Sequence, residues 1–203
     1  MYIKLYEKDT SISEVKKIVS IIENNGIAII PTDSVYAFAC SLNSQKAMTK
    51  IARIKGIDTK RSQFSIICDS LRDISKYARF DNSIFKLLKR NLPGAFTFIL
   101  NGSNELPKLF NYKRKTIGIR IPSNEIPIKI VEELGCPLVV TSLKESDDIA
   151  EYLTDPELIY ERYCKLVDVI VDGGYGDNVA STIVDCTEGE HTILRQGNSI
   201  LVE

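Results

Sequence analysis

The stretch from residue 112 to residue 122 holds the side chains best suited to bind an anion. Three isoleucines alternate along it, so they share one face of a strand, while Thr116, Gly118 and Arg120 share the other. Glycine inside a strand suggests close approach by another group, and arginine offers a planar fork that suits phosphate or carboxylate. An Arg120 paired with a neighbouring acid explains the pattern equally well.

Hydroxyl groups follow two other apolar runs. Thr32, Ser34 and Tyr36 come directly after the strand-like segment 26–30, and Thr141 and Ser142 follow another such segment at 138–140. Ligands of α/β sheets sit at strand ends, so these residues are candidates for a binding site. Ordinary turn chemistry is the alternative at both places. The glycine-rich stretch 172–176 lacks the Gly-Lys-Ser/Thr ending of a Walker loop and is weak evidence for a nucleotide.

Histidine and cysteine usage narrows the chemistry. His191 is the single histidine, which excludes two-histidine zinc motifs and argues against a nucleophile relay, so positioning and charge stabilisation remain. No metal site is expected. The five cysteines are odd in number, far apart and without a C-x-x-C pair, which is typical of reduced thiols in a cytoplasmic protein. No apolar run approaches the roughly 18 residues of a membrane helix.

The net charge of -1 excludes bulk polycation behaviour, but the charges are segregated. The segment 44–62 contains six cationic residues and only one acidic residue, Asp58. In the predicted helix that starts at Gln45, Lys46, Lys50 and Arg53 recur at helical spacing and form a basic stripe. A solvated helix face and an anion-binding stripe are equally good interpretations.

The elements that must position these residues alternate along the chain. Short β-branched runs and amphipathic stretches predict one α/β domain over residues 1–203. The predicted helices are Ile12–Asn24, Gln45–Lys55, Ser83–Asn91, Ile126–Leu134 and Pro156–Cys164. The predicted strands are Tyr2–Leu5, Ile27–Ile30, Phe64–Cys68, Phe96–Leu100, Thr116–Ile121, Leu138–Thr141, Val167–Val171, Thr182–Asp185 and Thr192–Leu194. We expect left-handed glycine caps after the first and fourth helices, at Asn25-Gly26 and Gly135.

Each motif is common alone, but the ordered set resembles the YrdC-like family of threonylcarbamoyl-AMP synthases. The resemblance covers nearly the whole chain. It rests on Pro31–Tyr36 (Pro-Thr-acid-hydroxyl-x-Tyr), Lys55, Pro93–Thr97 (Pro-Gly-x-x-Thr), Thr116–Pro122 (Thr-Ile-Gly-x-Arg-x-Pro), Pro137–Ser142, Ser181–Asp185 (Ser-Thr-Ile-Val-Asp) and Arg195–Gly197.

The resemblance implies a fold and a reaction. The fold would be α/β, a twisted open mixed sheet with helices on both faces (YrdC/RibB-like) and a concave basic surface. The reaction would join L-threonine, bicarbonate and ATP, with Mg²⁺ carried by ATP, into an adenylate for tRNA modification. Lys55 and Arg120 would be catalytic. Thr32, Tyr36 and Ser142 would line the threonine side, and the nucleotide would be held by Lys55, Thr116, Arg120, Thr141, Ser181 and Arg195.

The chain departs from the family pattern at several places: two family histidines are missing, one of them replaced by Asn124, and two motifs are changed. Lys55-Gly56-Ile57-Asp58 stands where the family has Lys-x-Arg-Pro, and Ser142-Leu143-Lys144 stands where it has Ser-x-Asn. These changes resemble the YciO-type branch and predict reduced activity. The alternative is a non-catalytic protein that binds double-stranded RNA or tRNA. Its phosphate contacts would be Lys46, Lys50, Arg53, Lys113, Arg114 and Lys115. A monomer or weak dimer is expected.

Overall fold

The computed structural model describes residues 1–8, 10–57, 64–107, 116–143 and 151–203. The helices are α1 (Ile12–Glu23), α2 (Gln45–Ile54), α3 (Leu71–Tyr77), α4 (Asn82–Asn91), α5 (Glu125–Leu134), α6 (Glu151–Thr154) and α7 (Pro156–Tyr163). The strands are β1 (Tyr2–Lys4), β2 (Ala28–Ile30), β3 (Ala37–Ser41), β4 (Ser65–Ile67), β5 (Ala78–Arg79), β6 (Phe96–Gly102), β7 (Thr116–Arg120), β8 (Leu138–Ser142), β9 (Val169–Asp172), β10 (Thr182–Asp185) and β11 (Thr192–Arg195).

The strands form a single mixed sheet. Its order is β1-β9-β2-β3-β8-β4-β7-β6-β10-β11, and β5 pairs with β6 off that path. Strand β9 pairs in parallel with β1 and β2, β4 with β7, and β6 with β10, while the other neighbours are antiparallel. The sheet is therefore open, with β1 and β11 at its two edges.

Alternate residues of the central strands enter two separate hydrophobic cores. Ile29 and Phe38 belong to the first core, and their neighbours Ile30 and Ala39 belong to the second. Strand side chains alternate between faces, so the two cores lie on opposite sides of the sheet. Helices α2, α3, α4 and α7 supply the first core and α1 and α5 the second. This confirms the predicted α/β fold with helices on both faces; the basic surface stays a prediction.

Most elements match the sequence expectation to within two residues at each end, but four were missed. Strand β3 was missed because its sequence, Ala-Phe-Ala-Cys-Ser, has low β-propensity, although all five residues are buried in the middle of the sheet. Strand β5 and helix α6 are too short to leave a periodic pattern, and α3 has only seven residues. No helix of the described ranges is long and apolar enough to cross a membrane.

The two predicted helix exits differ in how they turn. Gly135 adopts the expected left-handed conformation, with φ of 70°, and caps α5. After α1 the left-handed residue is Asn25, with φ of 63°, which corrects the expectation for Gly26. Gly26 is needed for another reason, since a Cβ there would lie 2.5 Å from the carbonyl oxygen of Ile21.

Candidate functional site

One half of the sheet face that carries the second core is polar. On the neighbouring strands β4 and β7, Ser65 pairs with Gly118, and Ile67, which lies in the second core, pairs with Arg120. Next to them on β6 and β10, Thr97 pairs with Ile183. Their sequence neighbours Ile119, Phe98 and Val184 point into the first core. Thr116, Gly118 and Arg120 therefore share one face, as the alternation predicted. We call this part of the sheet face, which carries Ser65, Thr97, Thr116, Gly118 and Arg120, the polar half-face.

Gly118 leaves room for two neighbouring side chains to approach its own backbone. A Cβ at this position would lie 2.5 Å from Oγ of Ser65 and 3.1 Å from Cγ2 of Thr97. The close approach predicted for this glycine is thus made by its strand neighbours.

Thr97, Ser181 and Arg195 form one connected group on the polar half-face. The hydroxyl oxygens of Thr97 and Ser181 are 2.8 Å apart, and both side chains are buried. Arg195 donates to the carbonyl oxygen of Ser181 from Nε at 3.2 Å and from Nη2 at 2.8 Å. Partial burial lowers the pKa of Arg195. Among the described residues, no carboxylate lies within ion-pair distance of Arg195, so its charge is uncompensated there.

Arg120 is paired with an acid, one of the two outcomes that the sequence left open. Its Nη2 donates to Oδ1 of Asp33 at 2.8 Å and to Oγ of Ser34 at 3.0 Å. The side chains of Arg120 and Asp33 are only 8% and 7% exposed. Burial lowers the pKa of Arg120, Asp33 opposes that shift, and the nearby charge of Arg195 adds to it. Arg120 and Arg195 therefore lie close enough to influence each other.

Thr32 and Tyr36 lie beneath the surface. The Thr32 hydroxyl donates to the carbonyl oxygen of Val35 at 2.9 Å and accepts from the Ser34 N–H at 3.1 Å, which is turn chemistry. Tyr36 is fully buried; its hydroxyl donates to the carbonyl oxygen of Gly174 at 2.7 Å and accepts from the Gly173 N–H at 3.1 Å. Burial raises the pKa of Tyr36 above its usual range. Neither side chain reaches the surface in this conformation.

Lys55 and Ser142 meet at the end of β8. The Lys55 Nζ donates to the carbonyl oxygen of Ser142 at 2.6 Å, and Thr141 beside it is half-buried. The segment 31–36 contacts the residue that follows this pair and also the polar half-face. The carbonyl oxygen of Tyr36 accepts from the Leu143 N–H at 2.9 Å, and the Ser34 hydroxyl accepts from Arg120. Lys55 with Ser142 and Arg120 with Arg195 thus flank one segment.

The basic stripe of α2 lies on the other side of the molecule. Lys46, Lys50 and Arg53 are exposed, while the buried residues of α2 enter the first core, which is on the sheet face opposite Arg120. Lys50 also lies 3.6 Å from Asp168. The predicted contacts Lys113, Arg114 and Lys115, together with Asp58 and Lys144, fall outside the described residues.

Sequence reasoning missed the residues that join the site segments. Asp33 binds Arg120, and it also accepts from the Ser123 N–H at 2.8 Å. Asp177 donates its N–H to the Ser34 carbonyl at 3.2 Å and accepts from Asn198 at 2.7 Å. Asp33 and Thr97 lie inside motifs that the resemblance used, which was the available signal, whereas Asp177 and Asn198 had none.

Other features lie apart from these residues. A cavity of about 370 Å³ is lined by residues of α4, of the β10–β11 turn and by Glu203, and it contains none of the predicted site residues. The described ranges hold no group of three side chains suited to bind a metal. All five cysteines, which lie in those ranges, are free thiols, and burial raises the pKa of Cys40 to about 12.

Comparisons with known proteins agree with the fold and with the resemblance. YciO of Escherichia coli K12 is 39% identical over 185 residues, which are 90% of this chain and 88% of YciO. The crystal structure of E. coli YciO superimposes with a TM-score of 0.89 at 36% identity, over 97% of this chain and 95% of that one.

More distant relatives include synthases. The threonylcarbamoyl-AMP synthase of Mus musculus is 27% identical over 84% of this chain and 62% of its own length. P. abyssi Sua5, solved in complex with L-threonine, has the same fold, with a TM-score of 0.87 at 24% identity over 97% of this chain and 57% of that one. A family model described as "Telomere recombination", for the Sua5, YciO and YrdC proteins, matches residues 20–197. The chain therefore belongs to the Sua5/YciO/YrdC family.

Proposed function

We propose that the chain is an ATP-dependent, threonylcarbamoyl-AMP synthase-type enzyme with reduced activity. The amine of L-threonine attacks the carbon of bicarbonate and water leaves, which gives a carbamate. A carbamate oxygen then attacks the α-phosphorus of ATP and displaces pyrophosphate. The adenylate product serves tRNA threonylcarbamoyladenosine formation. Related synthases at about 27% identity support this reaction class.

The observation that carries the proposal is that strand pairing and hydrogen bonds bring Arg120, Ser181 and Arg195 onto the polar half-face from distant parts of the chain. Guanidinium and hydroxyl groups are suitable donors for phosphate oxygens. Arg120 also has a buried Nε with no partner among the described residues, which a phosphate oxygen would satisfy. Mg²⁺ would arrive on the phosphates of ATP.

The roles of the residues are part of this proposal, which moves Lys55 and Thr141, assigned to the nucleotide by the resemblance, to the threonine side. Arg120, Arg195, Ser181, Thr97 and Thr116 would hold the nucleotide. Lys55, Thr141 and Ser142 would line the threonine and carbamate side, with Thr32 and Tyr36 supporting the segment between the two groups. No covalent intermediate is required, so the rate would come from orientation and from stabilisation of phosphate charge. Ile57 stands where the family has an arginine, which is the reason for the reduced rate.

The experiment is incubation with ATP, L-threonine and bicarbonate, with detection of pyrophosphate and of the adenylate. Omission of threonine should abolish both products. We expect Arg120→Ala to abolish ATP binding, and Arg120→Gln, which keeps an uncharged N–H donor, to weaken ATP binding to a dissociation constant that calorimetry can still measure. Arg72→Ala is the matched control, because Arg72 is an exposed arginine on α3. No binding of millimolar ATP by the parent chain would refute the proposal.

A second candidate function is binding of double-stranded RNA or tRNA on α2. This helix has three exposed cations and no acidic residue. An RNA surface there would lie on the opposite sheet face from the proposed nucleotide site, so Arg120→Ala should leave salt-dependent RNA affinity nearly unchanged.

A further inference from the structure

Asp33 binds two separate parts of the polar half-face. Its Oδ1 accepts from Nη2 of Arg120 at 2.8 Å, and its Oδ2 accepts from the N–H of Ser123 at 2.8 Å and from the Ser123 hydroxyl at 3.3 Å. Arg120 ends β7, and Ser123 precedes Asn124, the N-cap of α5. One carboxylate therefore fixes the loop after β2 to the connection between β7 and α5.

The bonds to Arg120 leave one side of its guanidinium without a partner. A guanidinium has five N–H donors. Nη2 donates its two hydrogens to Asp33 and Ser34. Nε is buried and has no acceptor among the described residues. Arg120 is thus held through Nη2, while Nε remains a buried donor without an acceptor among the described residues.

A buried donor without an acceptor is unfavourable, and native proteins leave few of them unless a ligand or a water completes the bond. The surroundings of Arg120 select a ligand that is an anion. Arg195, which lowers the pKa of Arg120, and the hydroxyls of Thr97 and Ser181 lie on the same half-face. Two kinds of phosphate-binding donor, guanidinium and hydroxyl, therefore lie on the same half-face as the unpartnered Nε.

We propose that Asp33 is a positioning residue, which holds the Arg120 guanidinium so that its Nε side faces the nucleotide phosphates. The inference rests on the proposed function, because it assigns a phosphate to that side. Asp33 does not touch the substrate; it acts through Arg120. A carboxylate that accepts from both Arg120 and Ser123 fixes a planar group better than either contact alone, and a preorganised donor loses less entropy when it binds.

A purely structural role is the competing explanation, since the Ser123 contacts alone would anchor the loop. A third possibility is that Asp33 competes with phosphate for Arg120. These two explanations and the positioning role differ in how removal of Asp33 changes the dissociation constant for ATP. They also differ in whether that change requires Arg120.

The test measures ATP dissociation constants by calorimetry for the full chain, Asp33→Ala, Asp33→Asn, Arg120→Gln and Asp33→Ala/Arg120→Gln. We expect Asp33→Ala to weaken binding about tenfold or more, the scale of cost for a misplaced binding group. Asp33→Asn should recover most of that loss, because its amide oxygen still accepts one bond. In the Arg120→Gln background, Asp33→Ala should change the constant less than about twofold, since residues that act as a unit are non-additive.

Matched controls distinguish a loss of Arg120 positioning from a loss of the folded structure. Ser123→Ala removes the 3.3 Å hydroxyl contact but keeps the backbone one, and it should bind ATP within about twofold of the parent. If Asp33→Ala does not fold, Asp33→Asn with and without Arg120→Gln gives the same cycle. Additive losses, or tighter ATP binding on removal of Asp33, would overturn the inference alone. Failure of the parent chain to bind ATP would overturn the proposed function and this inference with it.

Discussion

The two halves of one sheet face use small residues for opposite purposes. Beneath α1 and α5, Ala28, Ala37 and Ala39 are buried in the second core, where short side chains let helices pack close to the sheet. On the polar half-face, Gly118 instead lets the side chains of Ser65 and Thr97 approach the backbone of the strand. The first arrangement buries apolar area and stabilises the fold. The second leaves space for polar side chains beside a strand, which is what the proposed nucleotide site requires.

The largest expected effect is on the apolar half. Ile130→Ala removes a fully buried side chain of α5 and should lower the free energy of unfolding by about 2–5 kcal/mol, through lost burial and the cavity left behind. Urea denaturation measures this. The matched control is Ile12→Ala on α1, where the isoleucine is 70% exposed and the loss should stay within about 0.5 kcal/mol. Equal losses for the two variants would contradict the assignment of the second core.

Arg195→Ala should act on binding with little effect on stability. Loss of a charge-assisted contact costs about 1.5–3 kcal/mol, so ATP affinity should fall roughly ten- to a hundredfold. Calorimetric titration measures the dissociation constant, and a thermal melt checks the fold. An unchanged dissociation constant would remove Arg195 from the nucleotide site.

Gly118→Ala should have a smaller effect, set by two opposing contributions. The new Cβ would meet Ser65 Oγ at 2.5 Å, and overpacking costs about 1–3 kcal/mol, while replacing a strand glycine recovers about 0.5–1 kcal/mol. We expect a net loss of about 1 kcal/mol in urea denaturation. Ser65→Ala in the same chain removes Oγ and should recover part of that loss. Simple additivity of the two substitutions would show that the contact is not the cause.

The smallest expected effect on ATP binding comes from the α2 stripe. Neutralising Lys46, Lys50 and Arg53 with glutamine should leave the ATP dissociation constant within about twofold, because these charges lie on the opposite sheet face and are screened over about 8 Å at physiological salt. With a duplex RNA probe, the same variant should reduce the slope of log affinity against log salt by about 2–3. An unchanged slope would remove α2 from any RNA surface.

The sequence predicted the orientation of residues within an element far better than their partners across the sheet. Alternation along β7 correctly placed Arg120 opposite the isoleucines, because strand geometry alone determines it. Its partner Asp33 lies 87 residues away, and a distance of that kind follows from topology, not from local pattern. From the sequence alone, the partner of Arg120 could therefore be predicted only as either a phosphate or an acidic side chain.

Tyr36 shows the same limit. A tyrosine at a strand end can direct its hydroxyl towards solvent or towards nearby backbone, and nothing local decides between them. Likewise, strand β3 is held by its place between β2 and β8, which overrides the weak β-propensity of its residues.

The Tyr36 hydroxyl also alters what the glycine content of residues 172–176 means. Because it both donates to Gly174 and accepts from Gly173, and its ring fills the space where Gly176 would carry a Cβ, a phenol anchors this stretch from below. Gly176 therefore provides room for an aromatic ring, while Gly174 adopts a φ of 92° that favours glycine. We therefore expect the 172–176 loop to be rigid, and the amide hydrogens of Gly173 and Gly174 should exchange slowly with deuterium.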